Sequence, residues 1–398
     1  MKKLRRTHSE SMIRYLRVMK MECPRCHNQN NHFLYQYKGQ YYCRKCISFS
    51  RVVVDEERLT KRKKYPPKEI SYDIAFNLSV VQKNISCELV KNYIRKENSY
   101  VWAVCGSGKT EIVFEVIQYA LNQGHRVCFC IPRKELVKEL YQRISQSFHG
   151  IEIGLLYGGC EQNKDSQFII CTMHQLYKFE NDIGFDLMIA DEVDAFPFYN
   201  DEVLQEVFQR CCLGSYIKLS ATFSSSDIQN GKLLIMNKRY HGFNLPVPRL
   251  ILCPVWIQKW LILVIVKYIK KRWIVYVPTI YQMTQMVKFL SKFHLNVYGV
   301  SSTNPHNSHN IKLFIERFPA ILVSTTLLER GITIEDVQVI VYRSDHMIFD
   351  ERTLIQIAGR VGRKPSHPKG YVYFLASHQS MEVQKCVKTI KKLNTMNV

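Results

Sequence analysis

Acidic side chains are scarce in this chain. Only 34 Asp and Glu stand against 56 Lys and Arg over 398 residues, which leaves a formal net charge of +22. That balance points to a polyanionic partner, most simply nucleic acid, with an anionic membrane surface second. Long apolar runs are also lacking. The greasiest stretch, VWIQKWLILVIVKYI (255–269), carries Lys259 and Lys267 and holds only seven consecutive apolar residues. It is too short to span a bilayer, and the expectation is a buried helix with no transmembrane segment. The basic start MKKLRR is not followed by a continuous apolar core, so no secretory leader is expected. The 14 cysteines do not form the framework of a small secreted domain, and a large basic chain with scattered thiols reads as cytosolic and reduced. Cys87, Cys128, Cys130, Cys171 and Cys211 fall in apolar settings and are expected as small buried hydrophobes.

What is present is globular in composition, 46% hydrophobic and 23% charged, and long enough for two or three domains. The positive charge is uneven. Residues 1–70 hold 18 Lys and Arg against 6 Asp and Glu, much of it in MKKLRR and in KRKKYPPK (61–68).

Four cysteines are not scattered. Cys23 and Cys26 form one C-x₂-C, and Cys43 and Cys46 another, with 16 residues between the pairs. That is the spacing of a Cys₄ zinc ribbon, in which two tight knuckles supply four thiolates to one structural Zn²⁺. The residues between, HFLYQYKGQYY, alternate as a hairpin should around Lys38-Gly39. Too few apolar residues lie here to fold alone, so the metal would supply much of the stability. A disulfide pairing is the bland alternative, and His27 and His32 are possible competing ligands. Whether such a ribbon touches nucleic acid or only braces the chain stays open.

A second constellation begins at SYVWAVCGSGKTEIVFEVIQYAL (99–121), an apolar strand, a glycine-containing turn and an amphipathic helix. AVCGSGKT (103–110) matches a phosphate-binding loop except that Ala103 replaces the first glycine. Cys105, Gly106, Ser107, Gly108 and Glu111 would surround the phosphates. Gly106 and Gly108 let backbone N–H groups face them, Lys109 reaches the β/γ-phosphates, and the Thr110 hydroxyl ligates Mg²⁺. The matching carboxylates lie in FDLMIADEVDAFPF (185–198), where a buried strand runs into DEVD. Asp191 is expected to hold Mg²⁺ through water and Glu192 to orient the attacking water.

Between and after these motifs, strand and helix patterns alternate, as in a parallel, doubly wound sheet. The second half repeats the pattern without a lysine-bearing phosphate loop of its own. It offers instead QIAGRVGRK (356–364), with Gln356, Arg360 and Arg363. Three-apart spacing puts both arginines on one side of a helix, where two like charges need an anion. The economical arrangement has one ATP between the halves, with Arg360 and Arg363 reaching its γ-phosphate as fingers supplied in the same chain.

In this order the motifs resemble those of superfamily 2 helicases and translocases: NLSVVQ with Gln82, AVCGSGKTE, IPRKELVKEL, CTMHQLYKF, DEVDAFP, LSATF, VSTTLLERGIT and QIAGRVGRK. With the cysteine ribbon ahead of them and RYHGFNLPVP (239–248) between the halves, the chain is similar to the ComFA family of late competence proteins. The resemblance implies an α/β chain of two tandem RecA-like, doubly wound parallel-sheet domains preceded by a small Cys₄ zinc ribbon. The division expected is 1–65, with the ribbon at about 21–50; 66–238; a linker, 239–255; and 256–398.

It also implies an ATP-dependent single-stranded DNA translocase that drives uptake of transforming DNA. The implied partners are the ComEC channel and ComFC, at the cytoplasmic face of the membrane. Gln82 would read the adenine edge, and Gly331 would join the ATP site. Pro132, Arg133, Thr172, His174, Thr279 and Thr325 would touch the DNA backbone without reading sequence. Phe223 after Ser-Ala-Thr departs from the common proline, and no accessory wedge domain is expected after the last strand, so translocation is expected ahead of unwinding. The rival readings are a replication-restart helicase of the PriA type and a non-hydrolysing zinc adaptor for single strands.

Overall fold

The computed structural model describes residues 21–47, 50–54, 60–195, 197–223, 227–302, 304, 306–325 and 334–396. They fall into two compact units: Met1–Ala75, Leu89–Ser99 and Phe114–Lys218 make the first, and Phe76–Glu88, Tyr100–Val113 and Leu219–Val398 the second. The four segments expected from the sequence follow motif content instead of compactness. In particular, the segment carrying the phosphate loop groups with residues 219–398.

The ribbon is the hairpin β1 (Leu34–Tyr37) and β2 (Gln40–Cys43), with Leu34 opposite Cys43 and Tyr37 opposite Gln40. It turns at Lys38 and Gly39, whose φ of 48° and 79° suit the tight left-handed turn of a two-residue hairpin. Next come β3 (Ser71–Tyr72), α1 (Val80–Ile94), β4 (Asn98–Ala103), α2 (Phe114–Asn122), β5 (Val127–Ile131), α3 (Lys134–Ser147) and β6 (Phe148–His149). They are followed by β7 (Ile153–Tyr157), β8 (Cys160–Gln162), β9 (Phe168–Thr172), β10 (Phe185–Asp191), α4 (Glu202–Cys211), β11 (Cys212–Ser220) and β12 (Gly231–Met236). The larger sheet runs β12-β4-β11-β10-β5-β9-β7-β8. Strands β10, β5, β9 and β7 are parallel, and β8 pairs antiparallel with β7. VCFCI of β5 and FIICT of β9 are buried at all five positions, as expected of strands covered on both faces.

The second sheet is built from β13 (Arg249–Leu252), α5 (Val255–Tyr268), β14 (Arg272–Tyr276), α6 (Ile280–Ser291), β15 (Val297–Val300), α7 (Asn307–Glu316), β16 (Ala320–Ser324), β17 (Val337–Val341), α8 (Glu351–Ala358), β18 (Val372–Ala376) and α9 (Met381–Thr395). Its order is β13-β18-β17-β14-β16-β15, and every neighbouring pair is parallel. Alternation along β14 divides the core. Ile274 and Tyr276 join Leu322, Val339 and Phe374 beneath α8 and α9, while Trp273 and Val275 join Val323 and Ile340 beneath α5 and α6.

Three local expectations change. The greasy helix α5 is not buried all round. Gln258, Ile262, Leu263 and Val266 face the sheet, whereas Trp256, Trp260 and Tyr268 stay 71%, 53% and 84% exposed. A single helix on a sheet covers one face, and VWIQKWLILVIVKY has more apolar residues than one face holds. Cys87 is exposed while Cys128, Cys130, Cys171 and Cys211 are buried. It lies on α1 away from the buried Ile85 and Leu89. The helix after the phosphate loop starts late, because a 3₁₀ turn at Glu111–Val113 precedes α2. Among the described residues, no helix is long and apolar enough to cross a membrane.

Candidate functional site: a phosphate loop, an arginine loop and the strap between them

The phosphate loop leaves β4 at Ala103 and turns through Gly106 and Gly108, whose φ of 80° and 76° lie where only glycine rests without strain. A Cβ at Gly108 would sit 2.5 Å from Gln82 Nε2, so a larger residue there would push that side chain aside. Gln82 is placed by a capping box in NLSVVQ: its side-chain oxygen accepts from Ser79 N at 2.8 Å, and Ser79 Oγ accepts from Gln82 N at 3.3 Å. The free end of the amide then donates to the Ser107 carbonyl at 2.8 Å. Gln82 is 2% exposed, so in this structure it braces the phosphate loop. Cys105, Ser107 and Glu111 are buried, and Lys109 and Thr110 are half-buried.

Arg360 and Arg363 do not share a helix face. Helix α8 ends at Ala358 with Gly359 as its cap, and the chain then turns through Gly362 at φ 74°. Arg360 is 3% exposed, while Arg363 is half-buried with its Nε donating to the Gly359 carbonyl at 3.3 Å. Glycine breaks the helix here and the three-residue spacing loses its helical meaning. Gln356 lies buried in the last turn of α8. The loop nevertheless meets the phosphate loop. A Cβ on Gly359 would fall 2.9 Å from Cys105 Sγ, and a Cβ on Gly106 would fall 3.8 Å from Arg363 Cγ.

What holds the two loops together is a residue the sequence reading assigned to a linker. Arg239, 2% exposed, donates from Nη1 to the Val361 carbonyl at 2.6 Å and to the Gly362 carbonyl, and from Nη2 to the Gly359 carbonyl at 3.0 Å. Its neighbour Tyr240 donates its backbone N–H to the Gly106 carbonyl at 3.2 Å. His241 Nε2 lies 3.1 Å from the Gly362 carbonyl and so carries the proton. Residues 239–241 therefore form a strap that grips one loop with side chains and the other with backbone. Further along, Leu245 exchanges two hydrogen bonds with the Asn394 side chain of α9.

Burial pushes the Arg239 guanidinium down to about 10, and the Arg363 charge adds to that, yet it stays cationic at neutral pH. Burial likewise lowers His241, against the Gly362 carbonyl, which raises it. Guanidiniums crowded at a glycine loop suit a phosphate chain. Two buried atoms fit the same reading. Arg239 Nε and Ser107 Oγ have no hydrogen-bond partner among the described residues, and Arg239 Nε lies 4.0 Å from the Cβ position of Gly106. The signal for Arg239 was in RYHGFNLPVP, but nothing in its local pattern says where the side chain reaches.

The acidic motif sits at the end of β10. Asp191 is half-buried and its Oδ1 accepts from Glu192 N at 2.8 Å. Glu192 has φ 55°, a left-handed conformation uncommon for glutamate and often tolerated at functional positions. The Thr110 hydroxyl and the Asp191 carboxylate are each hard oxygen donors, the kind Mg²⁺ takes. Gly331 lies outside the described residues. The six expected DNA-contact residues lie at or just after the ends of β5, β9, β14 and β16, the edge where open parallel sheets bind ligands. His174 and Thr279 are exposed, Arg133 and Thr325 half-buried, and Pro132 and Thr172 buried. Thr279 Oγ1 is already used in capping α6, accepting from Gln282 N at 3.2 Å.

In the ribbon the four sulfurs of Cys23, Cys26, Cys43 and Cys46 all lie within 4.8 Å of one another. Cys23 to Cys46 is 3.8 Å and Cys26 to Cys43 is 3.6 Å. A tetrahedral zinc with bonds of about 2.3 Å needs sulfurs about 3.8 Å apart, so the set fits the ion. His27 and His32 are outside this cluster. The ribbon is fixed to the rest of the first unit by Arg25, 1% exposed, which pairs with the equally buried Glu180. Arg25 also donates to the Ser50 carbonyl at 3.0 Å. Lys45 to Glu202, at 3.0 Å, is a second, exposed tie. Neither tie was legible from the spacing of the cysteines.

Residues 75–225 match the family described as type III restriction enzyme, res subunit, and residues 257–365 match the helicase conserved C-terminal domain. The chain is 32% identical to the competence protein ComFA of Bacillus subtilis, covering 94% of this chain and 86% of that protein. It is 30% identical to ComFA of Streptococcus pneumoniae, covering 94% and 90%. Among solved structures, Saccharomyces cerevisiae Dbp5 bound to RNA and ADP BeF3 aligns with a TM-score of 0.55 at 15% identity, over 80% of this chain and 92% of that one. At that identity the last likeness establishes two RecA-like α/β domains and nothing finer. The two matched segments make the chain an ATPase of helicase type. Its likeness to two curated relatives along nearly its whole length identifies it as a member of the ComFA family of competence proteins.

Proposed function

We propose that the protein is an ATP-driven single-stranded DNA translocase that draws transforming DNA into the cell during natural competence. The observation that carries this reading is the strap: Arg239 and Tyr240 hold the arginine loop against the phosphate loop, so both act on one nucleotide. In this account backbone N–H groups of residues 106–110 and the Lys109 ammonium hold the β- and γ-phosphates. Thr110 and Asp191 hold Mg²⁺, which neutralises charge on the transferring phosphoryl group. Glu192 orients the attacking water. Arg363 and Arg360 spread the charge that develops on the γ-phosphate. Arg239 is a positioning residue that acts through the loop it grips. Gln82 would read the adenine edge in addition to bracing the phosphate loop, and Gly331 belongs to the same site.

The strand would run along the ends of the parallel strands, at Arg133, His174, Thr279 and Thr325, with Pro132 and Thr172 shaping the backbone beneath. Such contacts are nonspecific in sequence and sensitive to salt. One structural zinc sits in the ribbon. The ComEC channel and ComFC are the proposed partners, at the cytoplasmic face of the membrane. A PriA-type restart helicase is disfavoured because the cysteines precede the phosphate loop instead of lying within the motor.

The test is ATP turnover with single-stranded DNA, duplex DNA and RNA, across salt. Single-stranded DNA should stimulate strongly and Lys109→Ala should abolish turnover. A protein that binds the strand yet hydrolyses nothing is the adaptor instead.

A further inference from the structure

The zinc ribbon carries a surface that the nucleotide chemistry does not use. Residues 23–54 contain five Lys and Arg and not one Asp or Glu. The five divide by position. Arg25 and Lys45 are spent on the ties to Glu180 and Glu202. The other three, Lys38, Arg44 and Arg51, are exposed, and each stands against a tyrosine ring of the hairpin. Lys38 Nζ lies 5.5 Å from the centre of the Tyr37 ring, and the Arg44 guanidinium lies 5.6 Å from that of Tyr35. The Arg51 guanidinium lies 5.6 Å from Tyr37 and 4.2 Å from Tyr42.

The register sets which face of the hairpin these rings occupy. In the β1–β2 pair, Leu34 is opposite Cys43, so that face of the hairpin turns toward the metal ligands. Alternate residues point the other way. Tyr35 and Tyr37 therefore lie on the face away from Cys43, 53% and 44% exposed, and Phe33 precedes them at 40%. Three large rings left in water on so small a module contribute little to its folding. The thiol cluster and Arg25 already account for what holds it.

We propose that Tyr35, Tyr37 and Phe33, with Lys38, Arg44 and Arg51 around them, form a stacking site for the bases of a single nucleic-acid strand. The proposal deepens the translocase reading and rests on it. Alternate strand residues are about 6.7 Å apart, roughly twice the 3.4 Å step of stacked bases. Each tyrosine thus takes one base from an extended strand, and the cations meet the phosphates between. The cations Lys38, Arg44 and Arg51 select an anionic partner, and exposed rings select one with flat apolar faces. A nucleic-acid strand has both properties, whereas an acidic protein segment has only the first.

The experiment measures equilibrium binding of a short oligo-dT, and of the same length with abasic sites, to the full chain and to Tyr35→Ala/Tyr37→Ala. Zinc content is checked in each preparation. Loss of two stacked bases should weaken binding about tenfold or more. Tyr35→Phe/Tyr37→Phe should restore it. Abasic sites should weaken the parent protein and leave the alanine variant unaffected. Arg44→Gln/Arg51→Gln should reduce the salt dependence by about 0.7 per lost phosphate contact, while the ring variants should keep the parent slope. Equal affinity of the alanine variant and the parent, with zinc retained, overturns the proposal. So does a variant that keeps its DNA affinity but loses affinity for a polyglutamate probe. If the parent itself binds no oligo-dT and its ATPase ignores it, the translocase reading has failed, and this site with it.

Discussion

The ribbon and the arginine loop are both short segments that cannot hold their shape alone, and they are held in opposite ways. The ribbon closes on itself. Four sulfurs a few residues apart in two knuckles set its geometry, and Arg25 then fastens it to Glu180. The arginine loop closes on something distant. Its carbonyls at Gly359, Val361 and Gly362 are gripped by Arg239, some 120 residues earlier in the chain. A segment fixed by its own side chains should lose shape when those are removed and leave chemistry elsewhere to be tested separately. One fixed from afar should lose function when a remote residue changes, even with its own sequence intact.

The largest test of that contrast is on the loop itself. Arg363→Ala should lower kcat by roughly 10³-fold while ATP affinity changes far less, which steady-state turnover and fluorescent-nucleotide binding would separate. Next is the remote grip. Arg239→Ala should lower kcat by about 10²-fold, the scale expected for a misplaced group. Arg239→Lys should not restore it, since an ammonium cannot span three carbonyls. On the ribbon's side, Glu180→Ala leaves the Arg25 charge buried and unpaired. It should destabilise the protein by about 3–5 kcal/mol, measured by urea unfolding. The smallest effect concerns His241. Burial lowers its pKa, so the folded state resists the proton that the unfolded chain accepts. Stability should therefore be unaffected above about pH 6.5 and decline as pH falls through that value. His241→Gln should flatten the decline in unfolding curves taken from pH 7.5 to 5.5.

The same contrast explains what could be read from the sequence. The ribbon, the strands VCFCI and FIICT, and the phosphate loop announce themselves, because spacing, apolar runs and glycine positions are local properties. The hairpin turn at Lys38-Gly39 was legible for the same reason. The helix over Arg360 and Arg363 was misread, because the periodicity of QIAGRVGRK continues past Gly359 while the backbone does not. Helix α5 was misread as wholly buried, since composition gives apolar content and not how many faces are covered. Arg239 was visible as a residue and invisible as a clamp. A long polar side chain says nothing about which of several hundred carbonyls it will meet. Gln82 lies between these cases: its capping box with Ser79 is local, but its bond to Ser107 is not.

The most direct measurement is a double-mutant cycle on ATP turnover with Arg239→Ala and Arg363→Ala. If the strap works only by presenting the loop that carries Arg360 and Arg363, the double variant should lose far less than the product of the two single losses. Losses that multiply in full would mean that the two arginines act independently, and the account of one nucleotide served by a strapped loop would be wrong.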